Sequence, residues 1–136
     1  MARTKINLTD VKDTYVNLTD SFTTINSSLV SAGLEILEAF QNVDDSLALI
    51  VSNASEDTAY DVTVVKGTGI RAGSGSGVGN LVVEVPFGEQ VIIPLNDSDR
   101  FAQTNGSVYV NFETGLTGKI AAIAKLPELY TLPSTT

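Results

Sequence analysis

Six short runs of apolar and β-branched residues, each closed by a turn signal, constrain this chain more than any other feature. They are Leu47-Ala-Leu-Ile-Val-Ser-Asn53, Tyr60-Asp-Val-Thr-Val-Val-Lys66, Leu81-Val-Val-Glu-Val85, Gln90-Val-Ile-Ile-Pro-Leu95, Ser107-Val-Tyr-Val-Asn-Phe112 and Lys119-Ile-Ala-Ala-Ile-Ala-Lys125. Each has the length of a strand, and several alternate apolar with polar residues. Val108, Val110 and Phe112 then share one face, with Tyr109 and Asn111 on the other. The separators carry turn chemistry: Asn53-Ala-Ser-Glu-Asp57, Pro86-Phe-Gly88, Asn96-Asp-Ser-Asp99, Asn105-Gly106 and Thr114-Gly115. Short strands at this spacing predict an all-β chain, an antiparallel sandwich or barrel-like sandwich. Pro94 marks an edge strand or a strand end. The expected core is Leu49, Val51, Val62, Val64, Val82, Val85, Ile92, Val108, Val110, Phe112, Ile120 and Ile123.

The flanks read differently, and divide the chain into an extended arm over 1–28, a sandwich body over 29–127 and a strap over 128–136. The first stretch is rich in Thr, Asn, Asp and Ser and echoes itself, Asn7-Leu-Thr-Asp10 and Asn17-Leu-Thr-Asp20. Its apolar residues are too sparse for a core of its own. One reading is an arm with one or two short strands that lies on another subunit; the other is the first hairpin of the body. On the arm reading Ile6, Leu8, Tyr15, Val16, Leu18 and Phe22 are the partner-binding side chains. Residues 34–40 fit a strand, with Leu34, Ile36 and Phe40 on one side, or two helical turns through Val30, Leu34 and Leu37. Gly33 and the all-β context favour the strand. A single helical turn is expected near 98–103. The prolines at 127 and 133 predict an extended tail.

At 136 residues the chain suits one domain able to bury a core without staples. It has no Cys and no His, which excludes disulfides, thiolate or imidazole zinc sites and Ser–His–Asp or Cys–His catalysis. With 8 basic against 16 acidic residues the formal charge is -8, a field that repels phosphate backbones and disfavours nucleic acid as a partner. No apolar run approaches the about 20 residues of a membrane span. No secretory h-region follows Met1-Ala-Arg-Thr-Lys5, so the chain is expected to stay soluble or leave by a route other than a cleaved signal.

Three motifs bear on chemistry. Glycines at 67, 69, 73, 75, 77 and 79 fit neither phosphate-loop spacing, and a strand follows them rather than a helix, so an inter-strand loop is expected. Arg71, its one charge, is a candidate partner contact. Asp97-Ser-Asp99 offers at most two calcium ligands and no DxDxDG pattern. Asn-x-Ser/Thr sequons start at Asn7, Asn17, Asn26, Asn53, Asn96 and Asn105, as chance supplies in a chain rich in these residues. No catalytic residue, metal ligand or cofactor is singled out.

The order of segments carries a resemblance. Leu47-Ala-Leu-Ile-Val-Ser-Asn-Ala-Ser55 is followed by Ala59-Tyr-Asp-Val-Thr-Val-Val-Lys-Gly-Thr-Gly-Ile-Arg-Ala-Gly73 and Gly79-Asn-Leu-Val-Val-Glu-Val-Pro-Phe-Gly-Glu89. Asp99-Arg-Phe-Ala-Gln-Thr-Asn-Gly-Ser-Val-Tyr-Val-Asn-Phe112 and Gly118-Lys-Ile-Ala-Ala-Ile-Ala-Lys-Leu-Pro127 complete the set. Over residues 45–127 this order resembles the small β-sandwich head proteins of tailed phages and related viruses. The resemblance implies a capsid decoration, or cement, protein: non-enzymatic, without cofactor, made in the host cytoplasm and located on the virion surface. It implies a shell of major capsid protein as partner and a homo-oligomer, a trimer by preference. The alternatives are a tail-tube, neck or head-closure ring protein, an adhesion or ligand-binding sandwich with its site on loops 67–80 and 96–106, and a small enzyme.

Overall fold

The computed structural model describes residues 2–10, 21–37, 39, 47–68, 79–95, 98–103 and 106–124. The strands are β1 (Thr4–Ile6), β2 (Thr9–Asp10), β3 (Thr23–Ile25), β4 (Leu34–Ile36), β5 (Leu47–Asn53), β6 (Tyr60–Val64), β7 (Leu81–Val85), β8 (Gln90–Leu95), β9 (Val108–Phe112) and β10 (Gly118–Ala124). Two short helices, α1 (Ser27–Ala32) and α2 (Ser98–Phe101), lie between them. One sheet runs β1-β4-β9-β6-β7 and the other β2-β10-β5-β8, with β3 also on β10. Both are open and mostly antiparallel, so the chain is an all-β sandwich as its pattern predicts.

The central strands show why. In β9, Val108, Val110 and Phe112 point inward and Tyr109 and Asn111 outward. Val110 stands opposite Leu34 of β4 on one side and Val64 of β6 on the other, which makes one apolar row across the sheet. β5, flanked by β10 and β8, buries Leu47, Leu49 and Val51 against that row, and Ile50 is buried on its other face. Leu47-Ala-Leu-Ile-Val51 accordingly reads as a nearly continuous apolar run, with half-buried Ala48 and buried Ile50 on the outer face.

In the ambiguous region the strand is found over Leu34–Ile36, and the helix lies before it, containing Val30 but neither Leu34 nor Leu37; Phe40 is outside the described residues. Asn26 caps α1, its side-chain oxygen accepting from Leu29 N–H at 2.9 Å. Gly33 ends the helix at φ 80, a left-handed geometry that favours glycine. β4 begins at once, with Leu34 and Ile36 fully buried. α2 is the single helical turn expected near 98–103.

The boundary at residue 28 is corrected for the described residues. β1 pairs in parallel with β4, and β2 and β3 share the outer edge of β10, one on each half. Leu8, between β1 and β2, is 3% exposed and Ile25 1%, both within the central core. Burying each is worth about 1.5–3 kcal/mol, more than a loosely held arm would gain. The first segment is therefore the body's own flank, closing one side of both sheets. Residues 11–20 and the strap over 128–136 lie outside the described residues.

Three core expectations are corrected. Val82 is 56% exposed, Ile92 is 66% exposed, and Ile123 is half-buried. In β7 it is Leu81, Val83 and Val85 that face inward, and in β8 Val91, Ile93 and Leu95. Leu81-Val-Val83 and Val91-Ile-Ile93 have no internal polar residue to reveal which face is which. The marker lies further along: exposed Glu84 shares the parity of Val82, exposed Pro94 that of Ile92, and exposed Lys119 that of Ile123. The other nine expected core residues are buried.

Candidate interaction surface

The side chains expected to meet a partner are not brought together. Leu8 is buried in the core, Ile6 packs against it half-buried, and Phe22 is half-buried. For Leu8 the partner-contact reading is corrected, because a side chain that seals its own sandwich is not available to another subunit. Tyr15, Val16, Leu18 and Arg71 lie outside the described residues.

The exposed large apolar side chains are instead on the opposite flank. Among the described residues they are Val82, Phe87 and Ile92, all on β7, β8 and the corner between them. β7 ends one sheet and β8 ends the other, so this unit carries both open edges of that flank. The two edges differ. Asn53 N–H donates to Glu89 O and Gly88 N–H donates to Asn53 O, each at 3.0 Å, so two residues oppose one in a bulge at the start of β8. Alternation along the β5–β8 ladder then aims the backbone groups of Gln90, Ile92 and Pro94 at open space. Pro94 has no N–H to offer there, so bulge and proline both blunt this edge.

Asn53 holds the corner in place. It is 2% exposed, and its side-chain N–H₂ donates to Val85 O at 3.0 Å and Thr58 O at 2.9 Å. Its side-chain oxygen accepts from Ser55 N–H at 2.9 Å. One amide thus ties the end of β5 to the end of β7 and to the loop before β6. The same geometry removes Asn53 as a glycan acceptor, since the nitrogen that would be glycosylated is buried with both hydrogens engaged.

A second clamp sits at the base of the glycine-rich loop. Arg100 Nε donates to Gly79 O at 2.8 Å, its Nη2 to Asn80 O at 3.3 Å, and its guanidinium lies 4.9 Å from the Phe101 ring centre. Lys66 N–H donates to Asn80 Oδ1 at 2.7 Å, which joins the two stems. Gly67 N–H donates to Arg100 O at 2.7 Å and Gln103 Nε2 to Lys66 O at 3.0 Å. Sequence reasoning chose Arg71 from this region because it is the loop's one charge. Arg71 is outside the described residues; among those described near this loop the arginine held in place is Arg100, and its signal was the polar-turn setting of Asp99-Arg-Phe101 after a strand.

At one end of the sandwich a shallow cleft of about 460 Å³ separates α1 from the β9–β10 turn. Ser27, Ser31, Thr114 and Thr117 line it, with Val30 and Leu116 as its apolar floor. Its lining is uncharged, and includes none of the described residues of loops 67–80 and 96–106. No group of three or more acidic, His or Cys side chains is close enough to hold a metal ion among the described residues. No helix among the described residues is long and apolar enough to cross a membrane. No protein-family model, curated protein or solved structure matches this chain. The class defined by fold and surface is an open β-sandwich with one flank sealed by its first strands and the other bearing exposed apolar side chains.

Proposed function

We propose that this chain is a non-enzymatic virion protein, a decoration or cement protein that binds the outside of an assembled major-capsid-protein shell. The observation that carries the reading is the exposure of Val82, Phe87 and Ile92 along β7, β8 and the corner between them, beside a core complete without them. Side chains of that kind gain by being covered, and a shell surface offers many copies of a cover. The resemblance carried by the order of sequence segments over 45–127 supports the same class. In this reading the β7–β8 flank meets the lattice, whereas the residues of β1–β3 serve their own sandwich. Oligomerisation, with a trimer preferred, raises the number of contacts made in parallel.

The test is stoichiometric. Purified particles from the producing host are quantified by mass spectrometry for this chain and the major capsid protein, and added protein is sedimented with shells that lack it. A copy number near that of the major capsid protein, with saturable sedimentation, supports decoration. Six or twelve copies per particle replace it with a neck or head-closure ring. Absence from particles ends the virion reading. A second reading, a ligand-binding sandwich, is favoured by the hydroxyl-lined cleft between α1 and the β9–β10 turn. Glycan-array binding abolished by Ser31→Leu would establish it.

A further inference from the structure

We infer that the open edge of β7 is a receptor for an extended segment of a separate protein, one carrying a basic residue and, two positions later, an apolar residue. The inference concerns the edge itself and stands whether or not the segment belongs to a capsid shell.

Four edges bound the two sheets, and three are closed or blunted. The outer side of β10 carries β2 and β3. β1 is three residues long and presents exposed Lys5. β8 has its bulge and Pro94. β7 has five residues, no proline, no lysine and no bulge, and among the described residues no strand pairs with its outer side. An edge of that description is a template for strand addition.

The direction of its backbone follows from β6. Val65 N–H donates to Tyr109 O and Glu113 N–H donates to Asp61 O, so Asp61, Thr63 and Val65 face β9. Val62 and Val64 therefore face β7, where they meet Val83 and Leu81. The backbone groups of Val82 and Glu84 are the ones left pointing away from the sheet. Their side chains are also the two exposed ones of this strand. An added antiparallel strand would set one residue opposite Glu84 and, two further on, one opposite Val82, both on the outer face. The first is matched by a base and the second by an apolar side chain. Exposed Glu89, past the corner, adds negative charge at the same end.

Charge also argues against a second copy. The register that pairs all five residues of two β7 strands puts each Glu84 opposite a Val82 and gives neither carboxylate a base. Each copy also brings a net charge of -8.

The test uses the purified, ¹⁵N-labelled full chain and a blocked seven-residue peptide, threonine throughout except lysine at its third position and valine at its fifth. In the free protein the Val82 and Glu84 amides should exchange with solvent fast and the Val83 amide slowly. The peptide at millimolar concentration should shift the Val82 and Glu84 amides and slow their exchange at least tenfold. A glutamate-for-lysine peptide should do neither. Val82→Pro removes an N–H from the open side only, so it should abolish binding while leaving the β6–β7 amides protected. Glu84→Lys should transfer the preference to the glutamate peptide. Slow exchange at Val82 and Glu84 in the free monomer overturns the inference, as do unchanged amides with the lysine peptide or equal binding of both peptides. Concentration-dependent dimerisation that protects these two amides replaces it with self-pairing.

Discussion

Replacing Asn53 separates a hydrogen-bonding role from a packing one, because aspartate has its shape and lacks its donors. The native amide makes three bonds from a nearly fully buried site, donating to Val85 O and Thr58 O and accepting from Ser55 N–H. Asn53→Ala leaves those groups without this partner and opens a small void. At about 1 kcal/mol for each bond, and more where a buried carbonyl is orphaned, the loss is about 3–4 kcal/mol. That is a large share of a typical stability of about 5–15 kcal/mol. Asn53→Asp is worse at neutral pH. It turns the donor into an oxygen facing two carbonyls about 3 Å away and buries a charge. Burial and the facing carbonyls raise the native-state pKa of the introduced carboxyl above its unfolded value of about 3.9, so the native state binds the extra proton. The charge penalty is then absent below the unfolded value, grows as pH rises, and is complete once the raised native value is passed. Urea unfolding followed by far-ultraviolet circular dichroism should rank wild type above Ala above Asp at pH 7. At pH 4 the Asp variant should have gained on both. An Asp variant as stable as wild type at pH 7 would refute the role assigned to the amide donors.

Three further outcomes test the packing. Leu8→Ala should cost about 2–5 kcal/mol in the same assay, as for a core leucine, whereas a free arm would lose almost nothing. Ile93→Thr should destabilise by more than 1 kcal/mol through a buried hydroxyl, while Ile92→Thr one position earlier should change stability by less than about 0.5 kcal/mol. Equal effects would put the β8 parity in error. At Gly67 an added Cβ would collide with the Ala102 carbonyl. Gly67→Ala should therefore lower the melting temperature by several degrees and disturb the N–H groups of residue 67 and Thr68, which donate to Arg100 O and Ala102 O.

The sandwich was legible because β6 and β9 alternate apolar with polar residues and so display their period. Val62 and Val64 flank Thr63, and Val108, Val110 and Phe112 alternate with Tyr109 and Asn111, so both face and strand could be read. β1, β2 and β3 have two or three residues each and leave no period at all. They exist because distant partners recruit them: Thr4 to Leu34, Thr9 to Ile123, Ile25 to Gly118. No local pattern announces such a pairing, which is why a stretch of sparse apolar residues read as an arm. The exposed flank was hidden for another reason. Val82 and Ile92 sit inside apolar runs and were counted as core, although Glu84 and Pro94 carried the parity that places them outside. Asn53 ends β5 and Arg100 lies in the short helix α2, both within stretches whose composition reads as a turn and says nothing about which carbonyls a side chain will find.

The pairing of β2 with β10 has a temporal consequence. Thr9 is among the first described residues to leave the ribosome, and Ile123, its partner, is among the last. Until β10 emerges, Leu8 and Ile25 have no flank to seal, and the nascent chain waits with half its sandwich unroofed. Closure across so long a loop is slow, so the pairing of β2 with β10 comes late in folding, after the strands between them have been made.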